Sequence, residues 1–512
     1  MTNEEPPNSH QQRYDARRPA RELRIATAIT MIGGSSYVAL LASLVRSIVV
    51  MRLIGPRGRG IQRLVGLIKG YLSTLTVGFR HGASKELPMA IGAQDVRRAA
   101  EVEDAVFLSV TSLTAITALG MVVYAMLFSV ADWDTRVALC VGGGLLLAED
   151  MAALYWAVLR SWSRFGILAI GELVRTVAQF VLMIGGAWLL GVTGVMLGWL
   201  AGGVVVLLYL DRAARIRTSR RVIWPHLWRL GLVGLPVALI SFADVLLRSI
   251  DGTVLVRFYG EEQFGLYSVA MQMAAYLYTI PQAAGFVIWP KVLESYGGEE
   301  TPERRRRRVL LPTVGLAALM PLIGGVAFLM LPSAIDLVVP RFADSVPATQ
   351  VLSMGATFLA LPLSTNAALV ANDREGAVIA TKLAGAAVAG GGTWYVVHGG
   401  GAMVGVALAA CAGYALAAVL SLIVQLRSFY PSTGRLAREV LLVLAPTAWA
   451  AAALWATHLI GGRVGIVPAR FFDGALSVTI FAVLCVPCVI WADRQTGAVR
   501  EITSVIRDRF RT

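Results

Sequence analysis

Apolar runs of about 18 to 25 residues, separated by short charged breaks, recur along the whole chain. A helix rising ~1.5 Å per residue crosses a ~30 Å hydrocarbon layer in about twenty residues. Inside that layer every backbone N–H and C=O must find a partner within its own segment, so runs of this length fold as helices. Composition points the same way: of 512 residues, 56% are hydrophobic and 15% charged, with a mean hydropathy of +0.67. A soluble chain carries about a quarter of charged residues. A soluble enzyme, a secreted disulfide scaffold and a disordered chain are therefore excluded.

Runs of sufficient length lie at 25–54, 61–83, 104–129, 136–160, 166–190 and 193–211, then at 230–258, 263–290, 309–331, 347–371, 377–397 and 402–426, and finally at 439–460 and 471–492. The expected fold is an all-α polytopic membrane protein with about fourteen transmembrane helices. The formal net charge of +14 is spread over tails and alternate loops and forms no groove for nucleic acid. One face carries Arg97 and Arg98, Arg160 and Arg164, Arg212 to Arg229, Lys291 with Arg304 to Arg308, Arg374, Arg427 with Arg435 and Arg438, and the tail from Arg494. The opposite loops hold little beyond Arg57, Arg59, Arg341, Arg463 and Arg470. The positive-inside rule then puts both termini in the cytoplasm, as an even number of spans requires. The first two dozen residues are polar and no small-residue cleavage site follows, so a cleaved signal peptide is not expected. Cys140, Cys411, Cys485 and Cys488 all fall in apolar stretches, and no disulfide framework is implied.

The chain repeats itself. The outer end of span 1 reads Arg52-Leu-Ile-Gly55-Pro-Arg-Gly-Arg-Gly60, and span 7 ends Arg257-Phe-Tyr-Gly260-Glu-Glu-Gln-Phe-Gly265, with identical Arg–Gly and Gly–Gly spacing. Arg46-Ser47-Ile48 is echoed upstream by Arg248-Ser249-Ile250, and a helix-weakening residue, Gly34 or Pro236, stands twelve residues before each arginine. Either copy alone reads as an interface anchor followed by a turn; two copies six spans apart mark a duplication. Six is even, so both halves cross the membrane in the same sense, a parallel repeat of the kind used by transporters. The layout is an N-terminal tail (1–24), a lobe of helices 1–6 (25–211), a basic linker (212–229), a lobe of helices 7–12 (230–426), helices 13–14 (427–492) and a C-terminal tail (493–512).

Leu53-Ile-Gly-Pro-Arg-Gly-Arg-Gly60 resembles the opening of bacterial polysaccharide (O-antigen repeat-unit) flippases. Arg248 through Gly260, Gly265-Leu-Tyr-Ser-Val-Ala270, and Ile280-Pro281 to Pro290-Lys291 are similar to the second half of those proteins. They belong to the multidrug/oligosaccharidyl-lipid/polysaccharide exporter superfamily, which includes lipid II flippases and multidrug antiporters. The resemblance implies two six-helix lobes around a central cavity with two extra C-terminal helices. It also implies alternating-access transport of a lipid-linked oligosaccharide across the bacterial inner membrane, with polysaccharide polymerase or glycosyltransferase machinery as partners. Gly-Pro-Arg-Gly-Arg-Gly departs from the acidic residue more usual in that loop.

Ionisable groups inside a bilayer cost several kcal/mol unless they pair or line a wet cavity, so each is a candidate. Arg46, Lys69 and Arg248 all lie about 13 to 18 Å below the outer surface, counting ~1.5 Å per residue from the nearest outer glycine. Planar, permanently charged guanidinium groups suit the diphosphate of a lipid-linked sugar. Arg46, Lys69 and Arg248 are the expected diphosphate ligands, with Arg52 and Arg257 at the outer rim. Against this stands local pairing or snorkelling: Asp244 and Asp251 are at i−4 and i+3 from Arg248. Candidates for ion coupling are Asp244, Asp251, the adjacent Glu149 and Asp150 of span 4, and Glu172 of span 5. The plainer reading, which we favour, is that Glu172 pairs with Arg175 and that Glu149 and Asp150 bind a cation on a neighbouring helix.

Cys485-Val-Pro-Cys488 has redox-motif spacing but lies in an apolar run and reads as packing. No His cluster suggests a metal, and no cofactor is expected. Arg304 to Arg308 face anionic membrane lipid rather than nucleic acid. Gly34 and Pro236 are expected hinges for two rocking lobes. The expected activity is non-enzymatic translocation of an undecaprenyl-diphosphate-linked oligosaccharide from the cytoplasmic to the external leaflet. A cation-coupled multidrug or small-molecule exporter is the alternative; the short outer loops disfavour a membrane-embedded glycosyltransferase.

Overall fold

The computed structural model describes residues 25–127, 132–214, 224–297, 301–463 and 471–496. The N-terminal tail, residues 215–223 of the basic linker and the C-terminal tail past Thr496 lie outside the described residues. The described elements are helical: α1 (Ile25–Gly92), α2 (Val96–Leu127), α3 (Trp133–Ser161), α4 (Phe165–Ala214), α5 (Trp224–Gly297) and α6 (Pro302–Val338). A 3₁₀ turn at Pro340–Ser345 leads into α7 (Val346–Ala360) and α8 (Leu363–Ala371), followed by α9 (Glu375–His398), α10 (Met403–Leu426), α11 (Thr433–Arg463) and α12 (Phe471–Thr496).

Three of these helices are too long to be single crossings, and each contains one glycine outside helical dihedrals: Gly55 in α1 (φ 69°, ψ −175°), Gly191 in α4 (φ 58°, ψ −131°) and Gly260 in α5 (φ 80°, ψ −175°). Each is a hairpin. The Arg59 guanidinium reaches Ser47 Oγ at 3.2 Å, although twelve residues of straight helix would span about 18 Å. Tyr267 similarly reaches back sixteen residues to Asp251. A Cβ on Gly194 would stand 1.9 Å from the Gly186 carbonyl oxygen, so α4 folds back on itself along bare backbone, the close approach that small residues give membrane helices. With these three turns the elements supply all fourteen expected spans, the tenth being broken at Pro362, which has no N–H to continue the ladder. The loops expected between spans 1 and 2 and between spans 7 and 8 shrink to a glycine turn, because positive φ at one residue reverses the chain.

The chain forms two compact units, Met1–Val245 and Leu246–Thr512. The first has cores at Ile61, Val65, Leu139, Leu145 and Met196 and at Leu87, Val102, Val106, Leu154 and Val158. In the second, Ala317, Leu361, Ala418, Leu422 and Val443 join α6, α10 and α11, while Phe481 and Cys485 of α12 pack on Ala450 and Ala453. Polarity is inverted relative to a soluble protein: Trp188 (75%), Leu190 (61%) and Ile116 (67%) are exposed, whereas Asp150 (3%) and Asp251 (0%) are buried. Large apolar side chains outside and polar groups inside are what a hydrocarbon solvent selects. This is a multi-pass, all-α membrane protein.

The duplication is also written in the backbone. Among the described residues, left-handed positions fall at Gly55, Gln94, Ser163 and Gly191 in the first half and at Gly260, Asp373 and Gly400 in the second; all but Gln94 pair at nearly the same separation along the chain.

Candidate functional site: charges within the spans

In the first unit Arg46 donates from Nη1 to Gln179 Oε1 at 2.7 Å, tying span 1 to span 5. Gln179 is buried because Gly202 lets its side chain lie flat against span 6. Lys69 pairs with Glu149 of α3, its ammonium 4.8 Å from the Trp199 ring centroid, and Trp199 Nε1 donates to Glu149 Oε1 at 2.8 Å. Span 2, span 4 and span 6 thus meet at one carboxylate.

Asp150 turns the other way. Its carboxylate accepts from Ser73 Oγ (2.8 Å), Thr76 Oγ1 (3.0 Å) and Thr114 Oγ1 (3.3 Å), with the Arg80 guanidinium 4.0 Å away. The two adjacent acids therefore face different cations, Lys69 and Arg80, both on span 2. Glu172 pairs with Arg175 on its own helix. Tyr155 donates to Asp211 at 2.5 Å, and the Trp162 indole to Glu103 at 2.6 Å.

In the second unit the Arg248 guanidinium lies 5.5 Å from the Tyr278 ring centroid. Fully buried Asp251 accepts from the Tyr267 hydroxyl at 2.6 Å. Asp244, which precedes Arg248 by four residues on the same helix and belongs to the first unit, is half-buried. Arg52 and Arg257 are exposed at the ends of their spans. Gly34 and Pro236 both stand in continuous helix. Among the described residues no group of three His, Cys, Asp or Glu side chains gathers.

Two residues escape a reading by composition. Arg59, counted as an outer-loop residue, is 7% exposed and bonded to Gln62 (2.6 Å) as well as Ser47. Gln179, seven residues after Glu172 on the same face of span 5, is the partner of Arg46. The signal for Gln179 was its place on the face of span 5 that bears Glu172; for Arg59 there was none, because a turn of one residue is invisible to hydropathy.

The fold and these spans define the class: a polytopic helical protein built on a duplicated bundle. Residues 96–292 match the family model described as polysaccharide biosynthesis protein. The chain is similar in structure to the inward-facing conformation of a multidrug resistance MATE family transporter of the MOP superfamily, with a TM-score of 0.65 and 16% identity over 80% of this chain and 98% of that one. It is similar also to the lipid II flippase MurJ in its inward closed conformation, with a TM-score of 0.64 and 12% identity over 91% of this chain and 99% of that one. No curated protein matches. The chain shares the fold of these two structures.

Proposed function

We propose that this protein is a flippase that moves an undecaprenyl-diphosphate-linked oligosaccharide from the cytoplasmic to the external leaflet by alternating access, for cell-surface polysaccharide synthesis. The observation that carries this reading is the match of residues 96–292 to a polysaccharide biosynthesis family within a fold shared with a lipid II flippase. Arg46, Lys69 and Arg248 receive the diphosphate, with Arg52 and Arg257 at the exit. Hydrogen bonds from charged donors are worth about 1.5–3 kcal/mol each, and guanidinium forks match phosphate oxygens. Because Lys69 is paired with Glu149, phosphate must displace that carboxylate to engage the ammonium.

The lobes divide at the basic linker (212–229), bend at Gly34 and Pro236, and leave both termini in the cytoplasm of a bacterial cell. The protein is a carrier rather than an enzyme, and polymerase or glycosyltransferase machinery supplies and consumes its cargo. Glu149, Asp150, Glu172, Asp244 and Asp251 are the candidates for ion coupling, and the first three also act as ties through Lys69, Arg80 and Arg175. The fold likeness to a multidrug transporter supports the alternative, a cation-coupled exporter, but the family match favours the lipid-linked sugar.

Proteoliposomes loaded with lipid-linked oligosaccharide test the reading through leaflet-specific enzymatic labelling of the sugar. Arg46→Ala and Arg248→Ala should each slow translocation about ten- to a hundredfold. Undiminished rates in both variants would remove the diphosphate site. Export of organic cations by the wild type, without sugar translocation, would install the alternative.

A further inference from the structure

The second unit has a strongly basic end that the transport reading does not use. Helix α6 begins with Thr301 as its cap, the hydroxyl accepting from Arg304 N, and continues at once into five consecutive arginines. Arginines in a first turn oppose the positive end of the helix dipole, where anions belong. Arg304, Arg306 and Arg307 are exposed. Across from them the start of α11 exposes Arg435 and Arg438.

Tyr430 joins the two helix ends. Its ring carries the Arg306 guanidinium at 5.5 Å, and its hydroxyl is hydrogen-bonded to Glu439. Burial first, and then the Glu439 carboxylate, push the Tyr430 phenol up from its ordinary value against the opposing pull of Arg306, so it stays a neutral hydroxyl. Beneath it Val309 and Phe429 pack with Val292, Ala367 and Ala368. The basic end is therefore a fixed surface, not a pair of loose tails.

The same helix faces turn apolar away from this end. On α6, Leu319, Val326 and Leu337 follow Arg308 by eleven, eighteen and twenty-nine residues, whole numbers of turns at 3.6 residues per turn, and lie within about 60° of Arg304; they are 46%, 37% and 71% exposed. On α11 Trp449 (51%) follows Arg438 by eleven residues, about three turns, and Leu441 (68%) lies within about 60° of Arg438. Each helix thus presents a cationic head above a continuous apolar strip, the complement of an anionic amphiphile.

We propose that this end of the second unit binds anionic phospholipid, with Arg304, Arg307, Arg435 and Arg438 holding headgroup phosphates and the acyl chains lying along Leu319, Val326 and Leu441. Basic clusters at neighbouring transmembrane helix ends select phosphate-rich headgroups, and forked guanidinium donors hold them better than ammonium. The apolar strips distinguish a lipid from a free phosphate or a soluble polyanion, which would use only the arginines.

Full-length protein in neutral detergent tests this without reference to transport. Lipid retained by the intact protein is read by mass spectrometry, and Tm is measured after adding cardiolipin, phosphatidylglycerol or phosphatidylcholine. Retention of the two anionic lipids at least tenfold above phosphatidylcholine, with a higher Tm, is expected. The variant Arg304→Gln/Arg307→Gln/Arg435→Gln/Arg438→Gln should lose that preference. The exposed pair Arg435→Gln/Arg438→Gln alone should lose part of it, and four Arg→Lys changes should keep part. Equal retention of phosphatidylcholine, unchanged preference in a folded Gln variant, or equal stabilisation by pyrophosphate or a short RNA would each overturn the proposal.

Discussion

Consecutive residues on a helix point about 100° apart, so neighbouring carboxylates need not share an environment. Glu149 meets Lys69 and Trp199, while Asp150, 3% exposed, sits among three hydroxyls and Arg80. Removing one member of a buried pair strands the other, at about 3–5 kcal/mol, whereas replacing both with apolar groups is often close to neutral. Asp150→Ala should therefore destabilise the detergent-solubilised protein by about 3 kcal/mol. Arg80→Met together with Asp150→Leu should recover most of that, read as a thermal double-mutant cycle against Arg80→Met and Asp150→Leu alone; a loss in the double variant equal to the sum of the two single losses would mean that the two side chains are not coupled. The Glu172–Arg175 pair was legible from helical spacing, and a cation for Glu149 from the cost of an unpaired charge in the bilayer. That the partners of Glu149 and Asp150 both lie on span 2 was not, because spacing along one helix says nothing about which neighbour it packs against.

Turns explain which elements could be read in advance. The Gly55 and Gly260 hairpins stand beside arginines whose spacing repeats, so their equivalence shows in the letters; Gly191 and Gly400 carry no such markers, and theirs shows only in the positive φ. Span number and order were legible because hydropathy reports them directly, but the lengths of the turns depend on one residue's dihedrals. Two kinds of glycine follow, with different costs. Gly55 has nothing within 4 Å of where a Cβ would be, but its φ of 69° with ψ of −175° is a region kept almost wholly for glycine, so Gly55→Ala should cost about 1–3 kcal/mol as backbone strain. Gly194 is held by contact: a Cβ there meets the Gly186 carbonyl at 1.9 Å and forces span 5 from span 6. Gly194→Ala should lower Tm more than Gly55→Ala, while Gly66→Ala, whose nearest neighbour is Trp199 at 3.8 Å, should leave it nearly unchanged. A Gly194→Ala protein as stable as wild type would refute the backbone contact.

At the scale of the whole molecule, the charge asymmetry and the duplication constrain each other. Two halves in parallel repeat need an even number of spans per half, and Arg-rich ends on alternate breaks then fall on one face throughout. The short, one-residue turn at Gly55 belongs to the opposite face, where Arg57 is exposed and pairs with Asp132 at 2.9 Å. All four cysteines are free, Cys140 and Cys411 partly buried and Cys485 and Cys488 buried, and their replacement by Ala gives the background for single-cysteine mapping. In that background, Arg57→Cys and Arg341→Cys should react in intact cells with a membrane-impermeant maleimide. Arg97→Cys, Arg307→Cys and Arg427→Cys should react only after the membrane is permeabilised. Each of these positions is exposed on the described structure, so failure to label from either side would report a buried environment rather than an orientation. Labelling of Arg307→Cys from outside would invert the charge rule for this chain; it would also move the arginines of α6 to the leaflet opposite the one from which the lipid-linked substrate is proposed to enter. A mixed pattern, with Arg57→Cys and Arg307→Cys on the same side, would break the parallel repeat itself, since no even count of spans in each half could then connect them.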